Sequence, residues 1–289
     1  MKHILLCPNP IRDIDLTHTH TLARALTARG ITPVIYPLSY VTEERTEPIG
    51  AERDDLLRHI EHAALIVCFG GDGTILHLAR NAAPYGVPIL PVNLGRRGFM
   101  AAFDPSDMDE ILDVIGNAPY PTQSRMMLDV SLVRSGGVVY EGFALNDAVI
   151  TSATRIIDLT VWSDDTCVTQ FSGDGLVVCT PTGSTAYSMS AGGPIIEPDA
   201  KALSITPICA HGLIAKSFVL PPDRTVKIAT SLTRSKRGYL SIDGGSFDLA
   251  DGDEIIIRQS KYVTKIVTTT KQSFYQLLDE KLSRGVTLG

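Results

Sequence analysis

The hydrophobic period of this chain changes once, and the change divides it. Through about residue 116, short apolar runs alternate with stretches of helical spacing. Residues 4–7 read as a strand, 16–29 as a helix with Leu16, Ala23, Leu26 and Ala28 on one side, 32–36 as a strand, 52–60 as a helix, and 64–69 as a strand. A helix begins near Ile75, a strand covers 87–92, and a helix over 106–115 is expected to carry Ser106 as its N-cap. Strand followed by helix, repeated, predicts a parallel sheet covered by helices. From Met126 the period drops to two, with Leu128, Val130 and Leu132 against Asp129 and Ser131. A Ser135-Gly136-Gly137 turn followed by 138–150 predicts a hairpin, and 156–163, 166–171, 176–180, 226–231, 239–242, 254–257 and 261–269 read as further strands. The expected architecture is an α/β N-terminal domain with a parallel sheet (1–118) plus a β-rich C-terminal domain (119–269). A C-terminal helix within 270–289, opened by Ser273 and apolar at Phe274, Leu277, Leu278 and Leu282, is expected to pack back on the first domain.

Composition narrows the function classes. With 289 residues, 44% apolar and 20% charged, the chain can bury ordinary cores. A net charge of −6 argues against a nucleic-acid partner or an anionic membrane surface, so any phosphate site must be local. Cys7, Cys68, Cys167, Cys179 and Cys209 are widely spaced and are expected as buried small hydrophobes in a reduced compartment. The first apolar run is too short for a secretion signal, and no stretch approaches the ~18 apolar residues of a membrane span, so a cytoplasmic location is expected.

Two stretches carry chemistry. The run Leu65 to Phe69 leads directly into Gly70-Gly71-Asp72-Gly73-Thr74, and the junction of a parallel strand with its helix is where such sheets bind ligands. Glycines there let backbone N–H groups face phosphate oxygens beside the positive end of the helix. A carboxylate inside a phosphate cradle is unfavourable unless it holds a cation or accepts a proton. Asp72 is the candidate, and a residue that merely shapes the turn or caps the helix is the alternative. His77 follows on the helix, as a phosphate donor or as packing. Arg96 and Arg97, after the next strand, read either as a diphosphate clamp or as solvated loop arginines.

The second stretch runs from Phe171 to Pro194. Here the apolar run Leu176 to Thr180 meets Pro181 and then Thr182, Gly183, Ser184, Thr185, Tyr187, Ser188, Ser190, Gly192 and Gly193. These hydroxyls suit a ligand rich in hydroxyls and ring edges, or they satisfy their own backbone in an elaborate turn. Asn146-Asp147 interrupts an apolar strand, where an unpartnered carboxylate is costly. The pair reads as a contact to adenine or ribose, or as a strand end. Asp174 in Gly173-Asp174-Gly175 poses the same choice against a tight turn.

Gly70-Gly71-Asp72-Gly73-Thr74, Asn146-Asp147, and Gly173-Asp174-Gly175 leading to Thr180-Pro181-Thr182-Gly183-Ser184-Thr185-Ala186-Tyr187-Ser188 together resemble the NAD kinase family. The first motif alone is shared with lipid kinases and phosphofructokinases, whereas its combination with the last is specific. The resemblance implies phosphoryl transfer from ATP to the 2′-hydroxyl of the adenosine ribose of NAD, a divalent cation, Mg²⁺ by expectation, and a homodimer or homotetramer. It implies Asp72 as proton acceptor, Gly70, Gly71 and Thr74 at phosphate, and Gly73 and His77 beside the substrate. Asn146 and Asp147 fall on the ribose. Asp174 and the run Thr185, Ala186, Tyr187, Ser188, Met189 and Ser190 fall on the rings, and Arg155 is a polar contact. Two departures stand out: Asp243-Gly244-Gly245 where many members have Asp-Gly-Gln, and Arg97 where Leu is usual. A lipid kinase sharing the glycine-rich motif and a non-catalytic NAD sensor are the competing readings.

Overall fold

The structure is a computed structural model that describes residues 3–39, 51–95, 98–100, 103–152, 156–212, 216–232, 237–269 and 273–284. The described elements begin β1 (His3–Pro8), α1 (Thr17–Ala28), β2 (Pro33–Ile35), α2 (Ala51–Glu61), β3 (Ala63–Gly70), α3 (Asp72–Ala82), β4 (Ile89–Asn93) and α4 (Met108–Gly116). They continue as β5 (Thr122–Arg134), β6 (Gly137–Ala144), β7 (Asp147–Ser152), β8 (Ile157–Ser163), β9 (Thr166–Gly173), β10 (Gly175–Cys179) and α5 (Tyr187–Ser190). The last are β11 (Leu203–Ile208), β12 (Phe218–Leu220), β13 (Val226–Ser231), β14 (Gly238–Ile242), β15 (Gly245–Leu249), β16 (Glu254–Val267) and α6 (Phe274–Arg284). Two compact units divide the chain: Met1–Ser124 with Thr264–Gly289, and Arg125–Val263.

The first unit is α/β. Its strands pair in parallel in the order β2-β1-β3-β4, and the end of β16 joins β4 with Ile266 opposite Ile89. One face of the sheet packs Leu6, Leu65, Val67, Phe69, Leu90 and Val92 against Leu22 and Leu26 of α1 and Ile111, Leu112 and Ile115 of α4. The alternate residues Leu5, Ile66, Cys68 and Ile89 are equally buried, which is why these strands read as continuous apolar runs. Ahead of α4 the turn is capped by Asp104, not by Ser106. Asp104 donates its N–H to the Asp107 carboxylate at 2.8 Å in a reciprocal capping box. At α6 the cap is Ser273 as expected: its Oγ accepts from Gln276 N at 3.3 Å, and its own N–H reaches Gln276 Oε1 at 2.8 Å. The Phe274 ring lies 6.3 Å from that of Phe99 in the same unit, while Leu282, expected in the apolar side, is half exposed.

The second unit is a β-sandwich. One antiparallel sheet has β16, β13, β8 and β9 in order with the β5–β6 hairpin on β16. The other has the order β12-β11-β10-β7-β14-β15. Leu128, Val130, Leu132, Leu159, Val161, Ile228 and Ile255 from the first meet Ile150, Leu176, Val178, Ile205 and Leu240 from the second in one core. Val149, Val177, Cys179 and Ile208 form a smaller cluster on the other face of β7 and β10, so β10 is apolar along its whole length.

Several expectations change. The expected strand 138–150 is two strands, because the chain breaks at Leu145-Asn146 and β6 and β7 pair in different sheets. The two expected strands 254–257 and 261–269 are one, β16. Strands β11, β12 and β15 have no counterpart among the strands the sequence predicts. Cys7, Cys68 and Cys179 are buried, but Cys167 and Cys209 are exposed, so only three of the five thiols behave as core hydrophobes.

Candidate functional site

In the first unit the C-terminal ends of β1, β3 and β4 lie side by side because the strands are parallel neighbours. Hydrogen bonds tie the segments that follow them together. Asn9 N donates to Phe69 O at 2.9 Å, Leu94 N to Gly70 O at 2.9 Å, and Asn9 Nδ2 to Thr74 Oγ1 at 3.2 Å. The helix α3 begins at Asp72 with Gly71 in the N-cap position, earlier than the sequence indicated, so Gly73 and Thr74 belong to its first turn. Thr74 N already donates to Gly71 O at 2.9 Å, so it is the amides ahead of it that no helix carbonyl can take and that carry the positive end of the dipole. The glycines divide by role. A Cβ on Gly70 would sit 2.4 Å from Thr74 Oγ1, so packing demands glycine there, whereas a Cβ on Gly71 or Gly73 would meet nothing within 4 Å. Packing makes no demand at those two positions, and their main chain is open to close approach.

Asp72 does not cap its own helix. Its Oδ2 accepts from Phe99 N at 2.8 Å and its Oδ1 from Met100 N at 3.3 Å, so the loop after β4 fixes the carboxylate. A Cβ on Gly98 would fall 1.8 Å from Asp72 Oδ1, which requires glycine beside the acid. His77 is 1% exposed on the packed side of α3, next to the cradle in sequence but inside the fold. Arg96, Arg97 and Arg155 lie outside the described residues.

In the second unit Asn146, Asp147 and the segment Thr180–Ser190 come together because β7 and β10 are antiparallel, with Asp147 opposite Cys179. Thr180 Oγ1 donates to Leu145 O at 2.6 Å and Thr180 N to Asn146 O at 2.9 Å. Gly183 presses on the same main chain, since a Cβ there would lie 2.2 Å from Asn146 O. Much of the hydroxyl run serves the fold. Ser184 Oγ donates to Pro181 O at 2.7 Å and accepts from Ile196 N at 2.9 Å; Thr185 Oγ1 donates to Thr182 O at 3.2 Å; Ser188 Oγ, fully buried, lies 3.2 Å from Thr206 Oγ1. Within this group, Asn146 Oδ1 and Thr182 Oγ1 are buried without a hydrogen-bond partner among the described residues, and both residues are more than nine-tenths buried. Such atoms are costly unless a ligand completes them. Thr182 belongs to the hydroxyl run but not to the contacts that the resemblance implies, because only the structure separates it from its internally bonded neighbours. Tyr187 is 44% exposed, Ser190 is exposed, and Ala186 and Met189 are half-buried.

Asp147 is 8% exposed, and burial followed by the charge of Asp243 raises its pKa to about 7. Asp174 is exposed at the opposite end of β10, beside Ser152, whose N–H bonds its carbonyl at 3.1 Å. The structure therefore does not bring Asp174 to the Asn146–Tyr187 group of its own chain. Among the described residues no three His, Cys, Asp or Glu side chains gather as a metal-binding group, and no helix is long and apolar enough to cross a membrane.

Residues 4–120 match the ATP-NAD kinase N-terminal domain, and residues 145–269 match the ATP-NAD kinase C-terminal domain. The chain belongs to the NAD kinase family. It is 37% identical over 290 residues to the NAD kinase of Natranaerobius thermophilus, covering 99% of each chain. To that of Carboxydothermus hydrogenoformans it is 41% identical over 235 residues, covering 80% of this chain and 82% of the other. Its fold is that of yeast NADH kinase, solved with NADH, at a TM-score of 0.84 and 24% identity over all of this chain and 89% of the other. An Archaeoglobus fulgidus NAD kinase solved with ATP superposes at 0.75, with 23% identity over 98% and 99%. Within an NAD kinase chain, the glycine-rich cradle thus falls in the N-terminal domain, and Asn146, Asp147 and the hydroxyl segment in the C-terminal one.

Proposed function

We propose that this member of the NAD kinase family transfers the terminal phosphoryl group of ATP to the 2′-hydroxyl of the adenosine ribose of NAD, giving NADP, with Asp72 as proton acceptor. The observation that carries the reading is the setting of Asp72: a lone carboxylate at the start of α3, fixed by two amides and flanked by glycines that the fold itself does not require. Phosphoryl transfer needs mainly positioning and charge compensation, and a held acid can accept the proton as the hydroxyl attacks.

In this reading Gly70, Gly71 and Thr74 shape the phosphate cradle, with Gly73 beside the substrate and the buried His77 next to it in the helix. Asn146 and Asp147 hold the ribose, and Thr182 and the run Thr185 to Ser190 surround the rings, while Arg155 is a further polar contact. A divalent cation, Mg²⁺ in our reading, would balance the charge of the ATP phosphates. Such ions use one or two carboxylates together with phosphates and water, and at the cradle Asp72 would be the acid beside such an ion. Assembly as a homodimer or homotetramer and a cytoplasmic setting belong to the same reading.

The test is incubation of the purified chain with ATP, Mg²⁺ and NAD followed by direct detection of NADP, with diacylglycerol and sphingosine as parallel acceptors. Asp72→Asn is expected to lower kcat by about 10²–10⁴-fold while the Kd values for NAD and ATP stay near those of the parent. No NADP from the parent chain overturns the reaction, and an unchanged kcat in the variant overturns the role of Asp72.

A further inference from the structure

Asn146 and Asp147 stand where the chain leaves one sheet for the other. β6 ends at Ala144 and β7 begins at Asp147, so the intervening amides lie outside a regular ladder. Leu145 is fully buried, and Asn146 and Asp147 are more than nine-tenths buried, so their N–H groups need partners. One side chain supplies all three. Asp243 Oδ2 accepts from Leu145 N at 2.7 Å, and its Oδ1 accepts from Asn146 N at 2.9 Å and from Asp147 N at 3.1 Å. The return bond runs from Asp243 N to Asp147 O at 3.1 Å, while Thr180 takes the carbonyls of Leu145 and Asn146 from the other side.

The turn that carries Asp243 does not itself require a carboxylate. Asp243 and Gly244 form the two-residue loop between β14 and β15, with φ of +45° and +92° and Ile242 paired to Gly245. Asn-Gly satisfies such a turn as well as Asp-Gly. A carboxylate here also carries a cost, since it lies near the buried Asp147. What Asn cannot reproduce is two acceptor oxygens and a full negative charge facing three consecutive amides.

We infer that Asp243 is a positioning residue, which fixes the Leu145–Asp147 main chain and thereby aims the Asn146 and Asp147 side chains at the dinucleotide. The inference rests on the assignment of those two side chains to NAD. It gives the Asp243-Gly244-Gly245 turn a role independent of the missing Gln. Among the described residues, the titratable groups that act on Asp147 and on its strand partner include Asp243 itself and Cys179 on β10, whose thiol burial holds protonated at neutral pH.

The test uses the full chain and Asp243→Asn. The KM for NAD is expected to rise at least about tenfold while the KM for ATP changes less than about twofold. With the neighbouring charge gone, the Asp147 ionisation in the pH profile of kcat/KM for NAD is expected to move to lower pH. Equal effects on both KM values, or none, overturn the inference. Amide hydrogen exchange reads the clamp without turnover. In the parent chain Leu145, Asn146 and Asp147 are expected to exchange slowly, and fast exchange there overturns the inference even if the variant fails to fold. In a folded variant these three amides are expected to speed up while Ala148 to Thr151 stay slow. If the parent makes no NADP, the proposed reaction fails, and exchange still decides whether Asp243 holds the segment.

Discussion

At the residue scale, the two acids are held in opposite ways. Asp72 takes two amides and stands against Gly98, where a Cβ would lie 1.8 Å from its oxygen. Gly98→Ala must push the carboxylate aside, and a misplacement of about 1 Å can cost about 10²-fold. We expect kcat to fall by about that factor with a smaller change in either KM, read from steady-state kinetics with ATP and NAD. Asp147 is buried beside a like charge, which lifts its pKa from the ordinary 3.8 to about 7. Because the folded value is the higher one, its stabilising share is complete below about pH 4 and is lost as pH rises to about 7. Asp147→Asn removes that loss. Relative to the parent, the variant should gain up to about 4 kcal/mol between pH 4 and pH 8, measured by urea unfolding at each pH. A parallel pair of stability curves would show that the acid is ionised without cost.

At the element scale, an ion pair joins the end of one strand to the start of another. Arg134, the last residue of β5, forks onto the fully buried Asp253 through Nε at 2.9 Å and Nη2 at 2.8 Å, just before β16. Arg134→Ala leaves that carboxylate with the Ala250 amide but without its cation, and should lower the melting temperature with kcat unchanged. Melting and turnover measured together check both halves of that statement. The elements most legible in the sequence were those with a strong period, such as α1 and β8, or with a chemical cap, such as α6 with Ser273. The others were hidden for physical reasons. The polar run Arg258-Gln259-Ser260 concealed that β16 is continuous, Pro207 obscured the alternation of β11, and β12 is only three residues long. Asn146-Asp147 stood out as a polar break in an apolar run, and Asp72 as an acid among glycines. In the sequence Thr182 is one hydroxyl among many, and the Asp243 turn is marked only by the Gly that replaces the usual Gln, because Thr182 is distinguished by a hydrogen bond it does not make and Asp243 by amides distant in sequence.

At the scale of the whole molecule, the chain is two units, each with a core of its own, and the cysteines fall on both. Cys7 and Cys68 are neighbours on β1 and β3 in the first, and Cys179 sits on β10 in the second. Burial raises the pKa of all three: well above the ordinary thiol value for Cys7 and Cys68, and to about 11 for Cys179. Only thiolates react with alkylating agents, so these positions stay silent while their unit is intact. In native protein, iodoacetamide followed by mass spectrometry should mark Cys167 and Cys209 alone. With rising urea, labelling of the Cys7–Cys68 pair and of Cys179 then reports the opening of each lobe separately. Coincident curves would mean that the two melt as one body, and staggered curves would rank them. The enzyme thus carries an intrinsic pair of clocks for its own denaturation, with no dye or engineered tag required.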